Sequence, residues 1–353
     1  MTKLPFTYNF DDIEILKALS IANYRIGELN GILRLLPNPN VILNAITIGE
    51  AKESSEIENI VTTFDEIFKE IVLDENSNTP AKEVVNYRKA ILRGLELIKE
   101  SGFISTNIIS EIHRIIDPGT GDIRKIPGTV ILNTKTKEVL HVPPQTENEI
   151  RDNLTNLEQY INIPDEMDNL DPLIKMSLIH YQFESIHPFH DGNGRTGRII
   201  NILYLVMMSK LSMPILYLSK FINESKEKYY RYLRQVRENE NTLKEYVLYF
   251  LDGITLMCDF TIRFIEGFSR QIQIAESEIS RRCPKIYSHK LVQYLFFDFY
   301  TKNEYFRQSM GVSRNTATSR LKELVKNGFL IEEKVGKEIL YKNAYLYDLM
   351  REW

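Results

Sequence analysis

The chain has 353 residues, 43% of them hydrophobic and 26% charged, with a formal net charge of −4. That length allows two or three domains with a proper core, and the mild acidity excludes a globally basic binder of nucleic acid or anionic membrane. Cys258 and Cys283 supply neither a disulfide framework nor a metal spacing, the first twelve residues lack a signal-type apolar stretch, and the strongest apolar run, 199–208, is about half a membrane span, so a cytoplasmic protein with no membrane partner is expected.

In chain order, apolar residues from Leu16 to Leu36 recur with helical period, and the pattern stops near Pro37 and Pro39. Residues 50–73 predict a second helix. Helices over 84–99 and 106–116 follow, with a breaker at Asp117-Pro118-Gly119. Residues 129–132 and 139–142 are short β-type runs around 133–137, closed by Pro143-Pro144, which predicts a small hairpin on a helical body. Helical patterns resume from Asp171 to Ile272, and polar residues 277–284 read as a linker.

Residues 281–353 carry 14 Lys+Arg against 8 Asp+Glu, a net of +6 within an acidic chain. Helices are predicted over 290–300 and 303–310, with a turn at Gly311. Ser313 caps a further helix that places Ala317, Leu321, Leu324 and Val325 on one face. Gly328 ends it, and two short strands flank Val335-Gly336-Lys337. This is a helix-turn-helix with a β wing. Arg314, Asn315, Thr316, Ser319 and Arg320 face outward, with Lys334 and Lys337 on the wing, so DNA or protein is the expected partner of this segment. No catalytic residue falls in it, and it is expected to be dispensable for chemistry.

The chemistry-bearing string is His187-Pro188-Phe189-His190-Asp191-Gly192-Asn193-Gly194-Arg195-Thr196-Gly197-Arg198. A buried helical stripe through Leu173, Met176, Ile179, Phe183 and Ile186 precedes it, and Pro188 stops that helix. Gly192 and Gly194 let the backbone turn tightly and approach a ligand. A glycine-lined loop feeding a helix N-terminus is an anion site. Arg195 and Arg198 lie three apart on one face, which suits a polyphosphate. Asp191 beside phosphates points to Mg²⁺, or Mn²⁺, and His187 is the group able to take a proton near neutral pH. His180, Glu184, His187 and His190 also have the spacing of a metal cluster, but Pro188 interrupts them and no His-Glu-x-x-His is present.

The string resembles the signature of the Fic family of nucleotidyltransferases, His-x-Phe-x-(Asp/Glu)-Gly-Asn-Gly-Arg-x-x-Arg, at every fixed position. The likeness extends over about residues 5–270. Residues 128–144 look like the family's substrate flap, and His180, Phe183 and Glu184 match the helix before the motif. Residues 214–233, with Leu216, Ser219, Tyr229 and Tyr230, look like the segment behind the nucleotide base. The chain departs at 243–250, where the family often has tryptophans and this sequence has Leu243 and Tyr246.

The resemblance implies a mainly α fold: a Fic-type helical bundle with a β-hairpin flap, followed by the winged helix-turn-helix. The implied division is 1–105, a helical region with an inhibitory helix near 50–60; 106–272, the catalytic core; and 280–353. The implied activity is transfer of AMP from ATP to a Ser, Thr or Tyr hydroxyl of a target protein, including the chain itself, with self-association as a homodimer compatible. In it His187 is the base and Asp191 the magnesium ligand. Backbone N–H groups at Gly192, Asn193 and Gly194, with the Asn193 side chain, form the anion hole. Arg195 and Arg198 hold the outer phosphates, and Tyr229 and Tyr230 line the base pocket. UMP, phosphoryl or phosphocholine transfer, removal of AMP, or a nucleotide-sensing DNA-bound regulator are the alternatives. Ser54-x-x-x-Glu58-Asn59 matches the family's inhibitory helix, whose glutamate pairs with the second arginine, here Arg198. On the residues alone, Ser55-x-x-Glu58 also reads as a capping box.

Overall fold

The computed structural model describes residues 2–351 apart from 37, 74–78, 120–121, 133–136, 165–166, 168 and 298. The body is helical: α1 (Ile13–Arg34), α2 (Pro39–Ile57), α3 (Phe64–Leu73), α4 (Pro80–Ser101), α5 (Thr106–Ile116), α6 (Glu147–Ile161), α7 (Pro172–Ile186), α8 (Asn193–Met207), α9 (Leu218–Glu224), α10 (Lys226–Glu238) and α11 (Leu243–Arg282). The centre is α7, in which every residue from Leu173 to Ile186 is buried. Neighbours cover it on all sides, so its polar members Lys175, His180, Gln182 and Glu184 are buried along with its apolar ones. α8 packs along it and presents its N-terminus at the rim of the body.

The hairpin is β1 (Ile131–Leu132) antiparallel to β2 (Val139–His141), near the expected runs; most of its expected turn, 133–136, lies outside the described residues. The C-terminal unit holds α12 (His289–Phe297), β3 (Tyr300–Lys302), α13 (Asn303–Met310), α14 (Arg314–Lys326), β4 (Leu330–Val335), β5 (Glu338–Asn343) and α15 (Ala344–Arg351), with sheet order β3-β5-β4. α13, the Gly311 turn, α14 and the β4–β5 wing reproduce the expected order.

Three expectations change. The single helix over 50–73 is two. α2 ends at Ile57, Asn59 takes the left-handed region (φ 65°), and its N–H and that of Ile60 bond back to the carbonyls of Glu56 and Ser55. α3 then starts from a true capping box: the Thr63 N–H donates to Glu66, and the Glu66 N–H to Thr63 Oγ1 at 3.2 Å. Pro39 opens α2 behind an Asn38 cap, rather than only closing α1. The linker expected at 277–284 is instead the last turns of α11, which runs 40 residues and ends at Arg282.

The C-terminal unit is also seated on the body. Phe299 stacks on Phe68 of α3 at 3.9 Å, Asp65 of α3 accepts from Tyr300 Oη (2.6 Å) and Lys342 Nζ (3.0 Å), and Lys69 pairs with Glu333. The Asn44 side chain of α2 donates to the Phe297 carbonyl. The unit carries none of the motif residues, yet it covers the helices leading to and from Glu58.

Candidate active site

The motif loop joins α7 to α8. His187 ends α7 in the left-handed region (φ 48°, ψ 60°), its N–H bonded to the Phe183 carbonyl. Gly192 (φ 69°) begins α8 with no side-chain cap. The N–H groups at 193–195 are therefore left for a ligand at the positive end of the helix dipole, whereas the Gly192 N–H, expected in the anion hole, is already bonded to Asp191 Oδ1 at 2.6 Å. Phe189 is buried and stacks on His113 of α5 at 3.7 Å, almost parallel. The Asn193 side chain accepts from the Phe189 N–H and donates to the Phe189 carbonyl, both at 2.9 Å. Its amide thus clamps the loop. One N–H and one lone pair of that amide remain beyond these two bonds.

Arg124 is a residue that sequence reasoning missed. It is 1% exposed. Its Nε donates to the His187 carbonyl at 2.7 Å, and Nη2 to the Ile186 carbonyl (3.3 Å) and the Pro144 carbonyl; its backbone N–H bonds Pro188 O at 2.9 Å. One guanidinium therefore ties the end of α7, the start of the loop and the exit of the hairpin. His141 of β2 was missed too: its Nε2 lies 2.8 Å from the Ser185 carbonyl and holds the hairpin against α7. The signal in the sequence was an arginine before the β-type hairpin and a histidine in its second strand.

The His187 ring is held neutral, with its pKa pushed down to about 4. Burial is the main cause, and the cations Arg124 and Arg237 and the neighbouring His141 add to it. Its Nδ1 is buried without a hydrogen-bond partner. Asp191 is largely exposed (78% for the side chain). One oxygen accepts from the Gly192 N–H at 2.6 Å, and the other lies 3.9 Å from Arg195.

Both arginines are buried and already engaged. Arg195 pairs with Glu83 of α4 at 2.8 Å. Arg198 donates from Nε to Ser54 Oγ (2.7 Å) and from Nη2 to the Ser54 carbonyl (2.8 Å) and Glu58 Oε1 (3.0 Å). Glu58 Oε1 also lies against Gly194 so closely that a methyl group there would collide with it. A carboxylate is thus lodged between the Arg198 fork and the glycine nest, where an anionic ligand's oxygen would sit. The competing reading of Ser55-x-x-Glu58 as a capping box is excluded: both residues are at the C-terminal end of α2, and Ser55 Oγ has no partner.

Tyr229 and Tyr230 part company. Tyr229 is 1% exposed, its Oη 2.8 Å from His180 Nε2, on the α10 face buried with Leu233 and Val236. Its place in a base pocket is corrected to a place in the core. Tyr230 is 42% exposed and lies within electrostatic range of Glu58, Arg198 and Glu184. Glu184 is buried with one oxygen unpartnered, and burial raises its pKa to about 7. Leu243 and Tyr246 are fully buried, so they fill core. Among the described residues no three His, Cys, Asp or Glu side chains form a metal cluster, which removes the His180–His190 alternative.

Comparison with known proteins places the chain in a family. Residues 16–96 match the Fic/DOC family N-terminal region, and 103–205 match the Fic/DOC family itself. The chain belongs to the Fic/DOC family. Residues 272–346 match the C-terminal domain of SoFic-like protein adenylyltransferases. The protein adenylyltransferase Fic of Culex quinquefasciatus is 26% identical over 182 residues, covering 52% of this chain and 34% of that protein. That of Aedes aegypti is 28% identical over the same length and shares. The chain thus spans about a third of the length of these Fic relatives. A Fic family protein from Desulfovibrio desulfuricans G20 has the same fold over 97% of this chain and 99% of its own, with TM-score 0.59 and 18% identity. Fic-1 (aa134–508) of C. elegans aligns over 72% of each chain, with TM-score 0.51 and 21% identity. Among the described residues no helix is long and apolar enough to cross a membrane.

Proposed function

We propose that this Fic chain is a protein adenylyltransferase, moving AMP from ATP to a Ser, Thr or Tyr hydroxyl of a protein, itself included, and that Glu58 holds it in a resting state. The single observation that carries the reading is the Glu58 carboxylate lodged between Arg198 and Gly194. A site that meets the Glu58 carboxylate with a guanidinium donor beside a helix N-terminus is built for an anion, and one fork cannot serve the carboxylate and a phosphate with the same donors.

In the reaction the target hydroxyl oxygen attacks the α-phosphorus, the bond to pyrophosphate breaks, and the hydroxyl proton passes to the neutral His187 ring. Positioning and electrostatics do most of the work in such a transfer. Arg124 fixes the His187 carbonyl, and the N–H groups at 193–195 face the phosphates. Burial, the main cause of the depressed His187 pKa, keeps the ring unprotonated and so able to accept the hydroxyl proton. Arg198, once released by Glu58, and Arg195 supply guanidinium charge for the outer phosphates. Tyr230 offers an exposed ring against which a base can stack.

Asp191 suits a magnesium ion, or manganese. Its carboxylate is open, it stands beside the nest, and a hard cation held largely by phosphate oxygens and water needs one protein carboxylate rather than a cage. When bound, the ion supplies charge neutralisation of the phosphates.

The test is incubation of the protein with α-labelled ATP and Mg²⁺, with and without cell extract, followed by mass spectrometry. A mass gain of one AMP on a hydroxyl side chain is expected, first on the chain itself. His187→Ala should abolish it while leaving ATP binding in place. Equal labelling by that variant refutes the role of His187, and labelling only from UTP or another donor refutes the choice of AMP.

A further inference from the structure

We infer that the C-terminal unit binds duplex DNA, with α14 in the major groove and the β4–β5 wing on the flanking backbone. The argument begins with the sorting of charge in this unit. On the side facing the body its charges are paired: Lys342 with Asp65, and Glu333 with Lys69. On the outward face, Arg314, Lys322 and Lys326 of α14 and Lys334 and Lys337 of the wing are exposed and make no ion pair among the described residues. Exposed Glu332 and Glu338 lie on the wing, and Glu323 on α14 is half-buried, so the unopposed positive charge centres on α14.

α14 buries Ala317, Leu321 and Leu324 against its own unit. Its outer face carries Asn315, Thr316 and Ser319 beside the basic residues, all exposed. Short side chains that both donate and accept are the ones that read base edges, while lysine and arginine engage phosphates. A peptide partner would call for an apolar centre on that face; none of the exposed large hydrophobic side chains is on α14, and the wing carries only Ile331 and Ile339. Duplex RNA is disfavoured by its deep, narrow major groove, which side chains cannot read. The rest of the chain outweighs this unit with negative charge, so binding depends on this one face and not on overall attraction.

The experiment uses the full chain and a labelled mixed-sequence DNA duplex of about 25 base pairs, room for one major-groove helix and its flanking backbone contacts. Fluorescence anisotropy should show binding at about 50 mM salt and a weakening of roughly a hundredfold or more by about 200 mM, as the release of counterions by up to five basic side chains requires. Lys322→Glu with Lys326→Glu should weaken binding at least about tenfold at fixed salt without moving the melting temperature. Lys17→Glu, exposed on α1, should leave binding unchanged. Absence of binding at the lower salt, indifference to the α14 pair, or equal competition by an RNA duplex of the same sequence would overturn the inference.

Discussion

Replacing Glu58 by glycine tests the resting state directly. Arg198 is 2% exposed and makes three bonds in the resting enzyme, two to Ser54 and one to Glu58. The variant keeps both Ser54 bonds, so the guanidinium stays in place and only its carboxylate partner leaves. A charge-assisted bond of this kind contributes about 1.5–3 kcal/mol. The Glu58 side chain is 34% exposed, so solvent screens part of this and the lower end applies. About 1.4 kcal/mol no longer opposes the phosphates, which corresponds to at least about a tenfold rise in the adenylylation rate. The same loss should cost about 1 kcal/mol of fold stability. Glu58→Gln keeps bulk over Gly194 without charge and should fall between wild type and Glu58→Gly, while Glu58→Gly with His187→Ala should be inactive. Initial rates with α-labelled ATP and a melting curve, taken on the same preparations, read both effects. An unchanged or reduced rate alongside a lowered melting temperature would make Glu58 a purely structural residue and refute the reasoning.

Arg124→Gln should lower kcat by about tenfold or more through a misplaced base, with the KM for ATP nearly unchanged; NMR titration of His187 should show its pKa rising, because the second-largest cause of its depression is gone, and an unmoved pKa would count against the assignment. Stability should rise with pH through the middle of the window from about 4 to 6.5. There His113, His141, His180 and His187, all depressed by burial to about 3 or 4, take up about four protons on unfolding. Glu50 and Glu184, raised by burial to about 7, oppose this: their contribution is fully present below the unfolded value near 4.5 and is lost as pH rises through 7. Urea melts at several pH values check the sign, and a flat profile would show that these groups stay solvated. A chain ending at Ser277 cuts α11 short and uncovers Phe68, whose burial alone is worth about 1.5–3 kcal/mol; its melting temperature should fall by several degrees, and an unchanged value would show that the two units are energetically independent.

The sequence by itself determined whatever is local. The string 187–198 requires its turn and its helix start because Pro188 cannot continue α7 and Gly192 sits at positive φ. The pairing of Glu58 with Arg198 was legible only through the family resemblance of Ser54-x-x-x-Glu58-Asn59, since the residues alone also allowed a capping box, whereas α5 was legible from its period alone. Some local signals were present but misread: Asn38-Pro39 as a helix start, and Thr63-x-x-Glu66 as the cap that divides 50–73 into α2 and α3. Tertiary structure alone decided the rest. That Tyr229 turns inward while Tyr230 stays exposed follows from which side of α10 meets α7. Arg124 gained its role because the fold brings the hairpin exit and the end of α7 within reach of one buried fork. The seating of the C-terminal unit on α3 joins residues more than 200 positions apart. Such contacts depend on packing between distant segments, and no periodicity along the chain encodes which buried polar group will meet which carbonyl.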